Sequence, residues 1–280
     1  MLAERRIVFI GPGVMAEAMA EGLIERAGVA PGRLRLCGPR PARLDEVSDR
    51  LGVETSGDSR QAVQDADIVV VSVKPQSLHP ALSALQGSVP AQALVLSIVA
   101  GARLSHLARL LGHDCLVRAM PNTPAQVGQG ITVWTATAAA DAGHREQARQ
   151  ILAALGEEVF VDDEDYLDMA TALSGTGPAY VYLFMEAMVD AGVHLGFPRR
   201  IAEQLVAQTV RGSVSYYLHS PSHLARLRNQ VTSPGGTSAA ALYYLEKAGF
   251  RTALSRAIWA AYERSVQLGM GKKRGPVADD

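Results

Sequence analysis

The sequence predicts an α/β protein, with a mostly parallel sheet in its N-terminal part and an all-α region after it. Three observations carry that expectation. Short apolar runs alternate with helix-spaced segments over residues 5–161. The turn Gly11-Pro12-Gly13-Val14-Met15-Ala16 follows the first of these runs directly. After the acidic stretch DDEDYLD the strand-like runs stop and helical periodicity takes over. Strands alternating with helices imply βαβ units that close right-handed onto a parallel sheet. A G-x-G-x-x-A turn between strand and helix is the signature of a Rossmann-type dinucleotide-binding domain. The domain boundary is placed at the acidic stretch, giving residues 1–162 and 163–280.

Residues 5–10, RRIVFI, read as a buried strand and 14–26 as the first helix. In the turn between them Gly11 permits the tight bend, Gly13 lets backbone approach a pyrophosphate, and Ala16 allows close packing of helix on strand. The free N–H groups of the helix start suit phosphate. Pro12 departs from the common pattern by removing one N–H. Further strands are expected at 34–37, 67–73, 93–99, 115–119, 131–134 and 157–161, with helical stretches between several of them, as at 103–111. The strand at 34–37 ends without the carboxylate that would hold a ribose 2′-hydroxyl, and the next charges are Arg40 and Arg43. Arginine pairs bidentately with phosphate, so NADPH is the expected cofactor, with NADH weaker. The bland alternative is that both arginines begin a solvated helix. Val73-Lys74-Pro75, Ala100-Gly101 and Asn122 follow later strands, and ligands in such sheets bind outside the carboxyl ends of the strands. Asn122 has both a donor and an acceptor to offer a carboxamide.

Beyond residue 163 the stretch 179–195, AYVYLFMEAMVDAGVHL, sets Tyr182, Glu186, Asp190 and His194 four apart in one polar stripe, with the rest of its surface apolar. Helices are also expected at 200–218, 239–247 and 251–268. Together they offer more apolar surface than one helical unit of this size hides, so a second subunit is expected to cover it. The loop SPGGTS at 233–238 interrupts them: Thr237 or Ser238 is placed to cap the helix that follows, and Gly235 and Gly236 expose backbone N–H groups, a setting for a small carboxylate. A polar tail starts at Gly271.

Composition bounds the alternatives. The chain has 280 residues, 48% hydrophobic and 20% charged, with net charge −1 from 27 basic and 28 acidic residues. That balance draws it to neither nucleic acid nor membrane. Its seven histidines show no metal-ligand spacing, so no metal is expected. Cys37 and Cys115 stand alone in strand-like surroundings and are expected to be buried and reduced. No apolar run spans a bilayer and no cleavable signal pattern opens the chain, so a cytoplasmic location is expected.

The blocks VKPQ at 73–76, RAMPNTPAQVGQG at 118–130, ALSGTGPAYVY at 172–182, AQTVRG at 207–212 and VTSPGGTSAA at 231–240 closely resemble those of the pyrroline-5-carboxylate reductase family, over about residues 7–268. That resemblance implies NADPH-dependent reduction of 1-pyrroline-5-carboxylate to L-proline. The implied substrate contacts are Ser174, Thr176, Ser233, Gly235, Gly236, Thr237 and Ser238, with the Ser238 hydroxyl as proton donor. The cofactor set becomes Gly11, Pro12, Gly13, Val14, Met15, Arg40, Ser59, Val73, Lys74, Pro75, Ala100, Gly101 and Asn122. The resemblance also implies a homodimer or larger homo-oligomer in which one chain's SPGGT loop meets the other chain's nucleotide domain. The chain departs from the family where Ser238 stands for a commoner threonine, Pro221-Ser222 for a glutamate, Leu224 for a proline and Val14 for a polar residue. Two other readings stay open: a related reductase of another small cyclic imino acid or a β-hydroxy acid, and a non-catalytic NADP-binding regulator. The hydroxyls at 174, 176, 233, 237 and 238 argue against the regulator, and the lack of a lysine or histidine base on the helix after SGTGPAY argues against the β-hydroxy acid.

Overall fold

A computed structural model describes residues 2–270; the polar tail from Gly271 lies outside the described residues. Two compact units are present. One comprises the residues up to Thr176 together with those from Ala260 onward, and the other is Gly177–Trp259.

The first unit is built on one sheet of eight strands: β1 Ile7–Ile10, β2 Leu34–Cys37, β3 Glu54–Ser56, β4 Ile68–Val71, β5 Leu94–Ser97, β6 Leu116–Met120, β7 Gly130–Ala136 and β8 Gly156–Phe160. They lie in the order β3-β2-β1-β4-β5-β6-β7-β8. The helices of this unit are α1 Val14–Glu25, α2 Pro41–Leu51, α3 Ser59–Ala62, α4 Leu78–Ser83, α5 Leu104–Leu111, α6 Ala142–Ala153 and α7 Tyr166–Ala170. The short strand β3 escapes the sequence reading, because ETS has no apolar run to mark it.

Successive side chains of a strand point to opposite faces, and here both faces are covered. Ile7 and Phe9 join Met19, Leu23, Leu34, Leu36, Ile151 and Leu152 in one core layer. Val8 and Ile10 join Val69, Val71, Leu82, Leu107 and Leu111 in the other. This is why β1 and β4 read as unbroken apolar runs, and β5 as one broken only by the buried Ser97. All neighbouring strands run parallel except β6 and β7, which are antiparallel. The link between them, residues 121–129, is shorter than the dozen or more residues a parallel crossover needs, so the chain must turn back on itself.

The end of this unit is fastened by charge. Arg118 on β6 is 2% exposed and Asp168 on α7 is 3% exposed. Arg118 Nη2 donates to Asp168 Oδ1 at 3.0 Å and Nη1 to Glu164 Oε1 at 3.0 Å. Asp168 also accepts from Ser265 Oγ at 2.8 Å. The acidic stretch that marks the change in periodicity is therefore the counter-charge of a buried arginine.

The second unit holds α8 Gly177–His194, α9 Arg199–Leu218, α10 Leu224–Gln230, α11 Thr237–Lys247 and the start of α12 Phe250–Gly269. Its core is small: Val189, Ala202 and Val206, with Met185, Met188, Val193 and Val210 around them. Much apolar surface is left outside, with Leu183 67%, Tyr244 70% and Trp259 63% exposed. Leu242, Leu245, Phe250, Leu254, Ile258 and Trp259 line a groove of about 580 Å³ in this unit. Among the described residues no helix is long and apolar enough to cross a membrane.

Candidate functional site

The strand order reverses direction between β1 and β4, which is where open α/β sheets hold their ligands. The glycine-rich turn stands there. Gly11 has φ 103°, open to glycine at little cost, and a Cβ on it would meet Ser72 O and Val73 N at 3.0 Å. Ser72 Oγ donates to Gly11 O at 2.9 Å and its amide to Ile10 O at 2.9 Å, tying the ends of β1 and β4 together. Sequence reasoning missed Ser72; its only signal is a hydroxyl directly after the buried run IVVV. Pro12 is buried against Gly38, where any Cβ would lie 2.5 Å from its ring.

Gly13 caps α1 with no side-chain hydrogen bond, and the first bond of the helix runs from Glu17 N to Gly13 O at 3.0 Å. The amides of Val14 and Met15 therefore point out of the helix start without partners among the described residues. An open, uncapped helix start behind two glycines fits a pyrophosphate.

The two arginines after β2 separate into different tasks. Arg43 belongs to the fold: its Nε donates to Pro12 O at 3.1 Å, and it pairs with the buried Glu17 and with Glu46. Arg40 is exposed at the start of α2, and its guanidinium has no partner among the described residues. Ser59 begins α3 beside Asp58, which caps that helix through Arg60 N and Gln61 N. The amide of Gly38 donates to Ser56 O at 3.1 Å and brings the loop after β3 alongside the loop that carries Arg40. Arg40→Ala is expected to weaken NADPH roughly ten- to hundredfold, the worth of a charge-assisted hydrogen bond, and to leave NADH nearly unchanged. Titration with both nucleotides decides it, and equal losses would reduce Arg40 to a surface residue.

Lys74, exposed and without a side-chain partner among the described residues, precedes the 3-10 turn Pro75–Ser77 after β4. Ala100 follows β5, half-buried. Gly101 has another employment: a Cβ there would meet Gly269 N at 2.8 Å and Leu268 C at 3.1 Å, so it admits the end of α12. Asn122 is committed to the chain itself, accepting from Ile131 N at 3.0 Å and donating to Ser174 O at 3.2 Å. The hydroxyls of Ser174 and Thr176 donate to Ala170 O at 3.0 Å and Thr171 O at 2.8 Å.

The SPGGTS loop lies in the other unit. Its turn is closed by Gly236 N donating to Ser233 O at 3.0 Å, and Gly235 has φ 71°. The cap of α11 is Gly236, without a side-chain bond, and not Thr237 or Ser238 as the sequence suggested. Both hydroxyls lie inside the first turn of the helix, so they stay available, and the first bond of α11 is Ala240 N to Gly236 O at 3.2 Å. The amides of Thr237 and Ser238 precede it and are open to an anion.

The two cysteines are buried and unpaired. Burial pushes the Cys37 thiol up to about 12 and the Cys115 thiol up to about 11, so neither is a nucleophile at neutral pH. Among the described residues no group of three or more His, Cys, Asp or Glu side chains is placed to hold a metal.

The family model described as "Pyrroline-5-carboxylate reductase dimerisation" matches residues 164–268, and that described as "NADP oxidoreductase coenzyme F420-dependent" matches residues 6–101. The chain is 40% identical to a pyrroline-5-carboxylate reductase of Synechocystis sp., over 93% of this chain and 97% of that protein. It is 38% identical to that of Escherichia coli, over 95% and 98%. A crystal structure of Plasmodium falciparum pyrroline carboxylate reductase with NADP bound is 30% identical and superposes with a TM-score of 0.87, covering 95% of this chain and 99% of that one.

Proposed function

The chain belongs to the pyrroline-5-carboxylate reductase family, and from that membership we propose that it reduces 1-pyrroline-5-carboxylate to L-proline with NADPH. The observation that carries the reading is the alignment with reductases of that name along more than nine-tenths of both chains. Following NADPH oxidation with pyrroline-5-carboxylate tests it. No oxidation with any cyclic imine would remove the enzymatic reading and leave the non-catalytic NADP binder.

NADPH, when bound, supplies the hydride. The chain's part is to hold, orient and protonate. Gly11 to Met15 offer the open start of α1 to the pyrophosphate, and Arg40 the 2′-phosphate, with Ser59 in the neighbouring loop. Val73, Lys74, Pro75 and Ala100 line the carboxyl edge toward the nicotinamide end. The open amides at the start of α11, with Ser233, Gly235 and Gly236, take the substrate carboxylate, and Ser238 Oγ donates a proton to the ring nitrogen. With the Ser238 hydroxyl hydrogen-bonded to the ring nitrogen and giving it the one proton the reduction needs, positioning two reactants can supply most of the rate. This agrees with a site that contains no strong acid–base pair.

Ser238→Ala is expected to cut turnover by about a hundredfold or more, the usual range for a positioned proton donor being about 10²–10⁴, and to leave NADPH affinity unchanged. Gly236→Ala is expected to raise KM for the imine, because its Cβ would press on Ser233 Oγ at 2.5 Å. Steady-state kinetics of both variants check this, and an unchanged rate in Ser238→Ala would pass the proton to water.

The active species is a homodimer or larger homo-oligomer. Support comes from the exposed apolar faces of the helical unit and from the dimerisation family that matches residues 164–268. A cytoplasmic setting is part of the proposal, consistent with two unpaired, buried cysteines.

A further inference from the structure

Residues 171–175 form a single π turn between α7 and α8, closed by Thr176 N donating to Thr171 O at 2.8 Å. Such turns concentrate at functional sites. The Ser174 carbonyl stands four residues before Pro178, which has no N–H to give it, and a partly buried carbonyl needs another donor. Here the Ser174 carbonyl is taken by Asn122 Nδ2. The other end of the same carboxamide holds Ile131 N. One side chain thus ties the end of β6, the start of β7 and the π turn. A second contact marks the same junction: a Cβ on Gly175 would lie 2.6 Å from Met120 Cε, so the turn rests directly on the residue that ends β6. With Ser174 Oγ and Thr176 Oγ1 both donating into the turn, what they present outward is oxygen lone pairs at fixed positions.

From this geometry we infer that Asn122 is a positioning residue for substrate capture. Its amide latches the turn carrying Ser174 and Thr176 to the carboxyl edge of the sheet, and it does not read the nicotinamide carboxamide. The substrate side of this inference rests on the reductase reading; the latch does not.

Asn122→Asp tests it, since the variant keeps the size and an acceptor for Ile131 N but sets an oxygen against Ser174 O. Three quantities are measured: hydrogen exchange of residues 171–176, KM for pyrroline-5-carboxylate, and NADPH affinity by fluorescence. Exchange at Thr176 and KM should each rise about fivefold or more, the worth of one hydrogen bond. NADPH affinity should stay within about twofold, as for an independent site. NADPH weakening as much as KM rises would make Asn122 a cofactor contact, and unmoved exchange and KM would make the latch idle; either overturns the inference. If Asn122→Asp does not fold, Asn122→Ala removes the donor to Ser174 O without adding a charge and must show the same split, or the inference fails. A wild-type chain that ignores pyrroline-5-carboxylate would sink the reductase reading instead, and the exchange and NADPH measurements would still decide the latch.

Discussion

Replacing Asp168 by alanine is expected to lower the unfolding free energy of the nucleotide unit by about 3–5 kcal/mol, the cost of leaving one member of a buried ion pair alone. Asp168 is 3% exposed and its partner Arg118 2%, so water cannot take over when the carboxylate goes. Glu164 remains as a second acceptor for Arg118, but it lies nearer solvent and is bonded to Nη1, while Nη2 loses the oxygen it held. The Ser265 hydroxyl loses its acceptor too. Against a total of about 5–15 kcal/mol for a typical domain, such a loss is severe. Asp168→Asn should lose less, about 1.5–3 kcal/mol, because it keeps acceptors while removing charge. The measurement is urea unfolding followed by Trp134 emission in a Trp259→Phe background. A midpoint shift worth under about 1 kcal/mol for Asp168→Ala would show the pair to be energetically idle.

Mixing two inactive chains is expected to restore activity from essentially none. The first carries a bulky substitution at Gly13, which closes the nucleotide turn, and the second carries Ser238→Ala with Gly236→Ala, which spoils the substrate loop. If one chain's loop serves the other chain's nucleotide unit, a reassociated heterodimer contains one site with both halves intact. Random pairing makes half of the dimers mixed, so about a quarter of all sites recover. Dissociated and re-formed mixtures are compared with each variant re-formed alone. Absence of recovery, or a fully active monomer at low concentration, would show that each chain builds its own site. The apolar exposure of Leu183, Tyr244 and Trp259 is what makes dissociation costly: surfaces of that kind belong to obligate interfaces.

The central strands were legible because burial on two faces favours apolar residues throughout, and IVFI and IVVV say so directly. The turn at Gly11 was legible for a related reason, since backbone that must approach a ligand can carry no side chain. What escaped was contextual. Nothing local distinguishes Arg40 from Arg43; only folding places Arg43 against Glu17 and Pro12 and leaves Arg40 free. Gly101 was read as a cofactor contact because it follows a strand, whereas its missing side chain serves a helix from the far end of the chain. Asn122 was read as polar and available, and its polarity is spent on two backbone groups. The π turn had no signal, because its five residues read as ordinary helix. In the SPGGTS loop the sequence offered Thr237 or Ser238 as the cap, and Gly236 takes that place by backbone conformation alone.

The return of α12 to the first unit carries a consequence for how the molecule comes into being. Asp168 and Gly101 are made early, yet Ser265 and Gly269, which pack against them, follow only after the whole second unit. On a ribosome the sheet is long finished, in sequence, before the piece that seals its edge has been synthesised. A nascent chain stopped after Thr176 carries Arg118 and its acids with one wall missing and the seat of Gly101 open to water. The nucleotide unit therefore draws on a segment made 97 residues after Asp168, and the bond from Ser265 can form only once that segment has emerged.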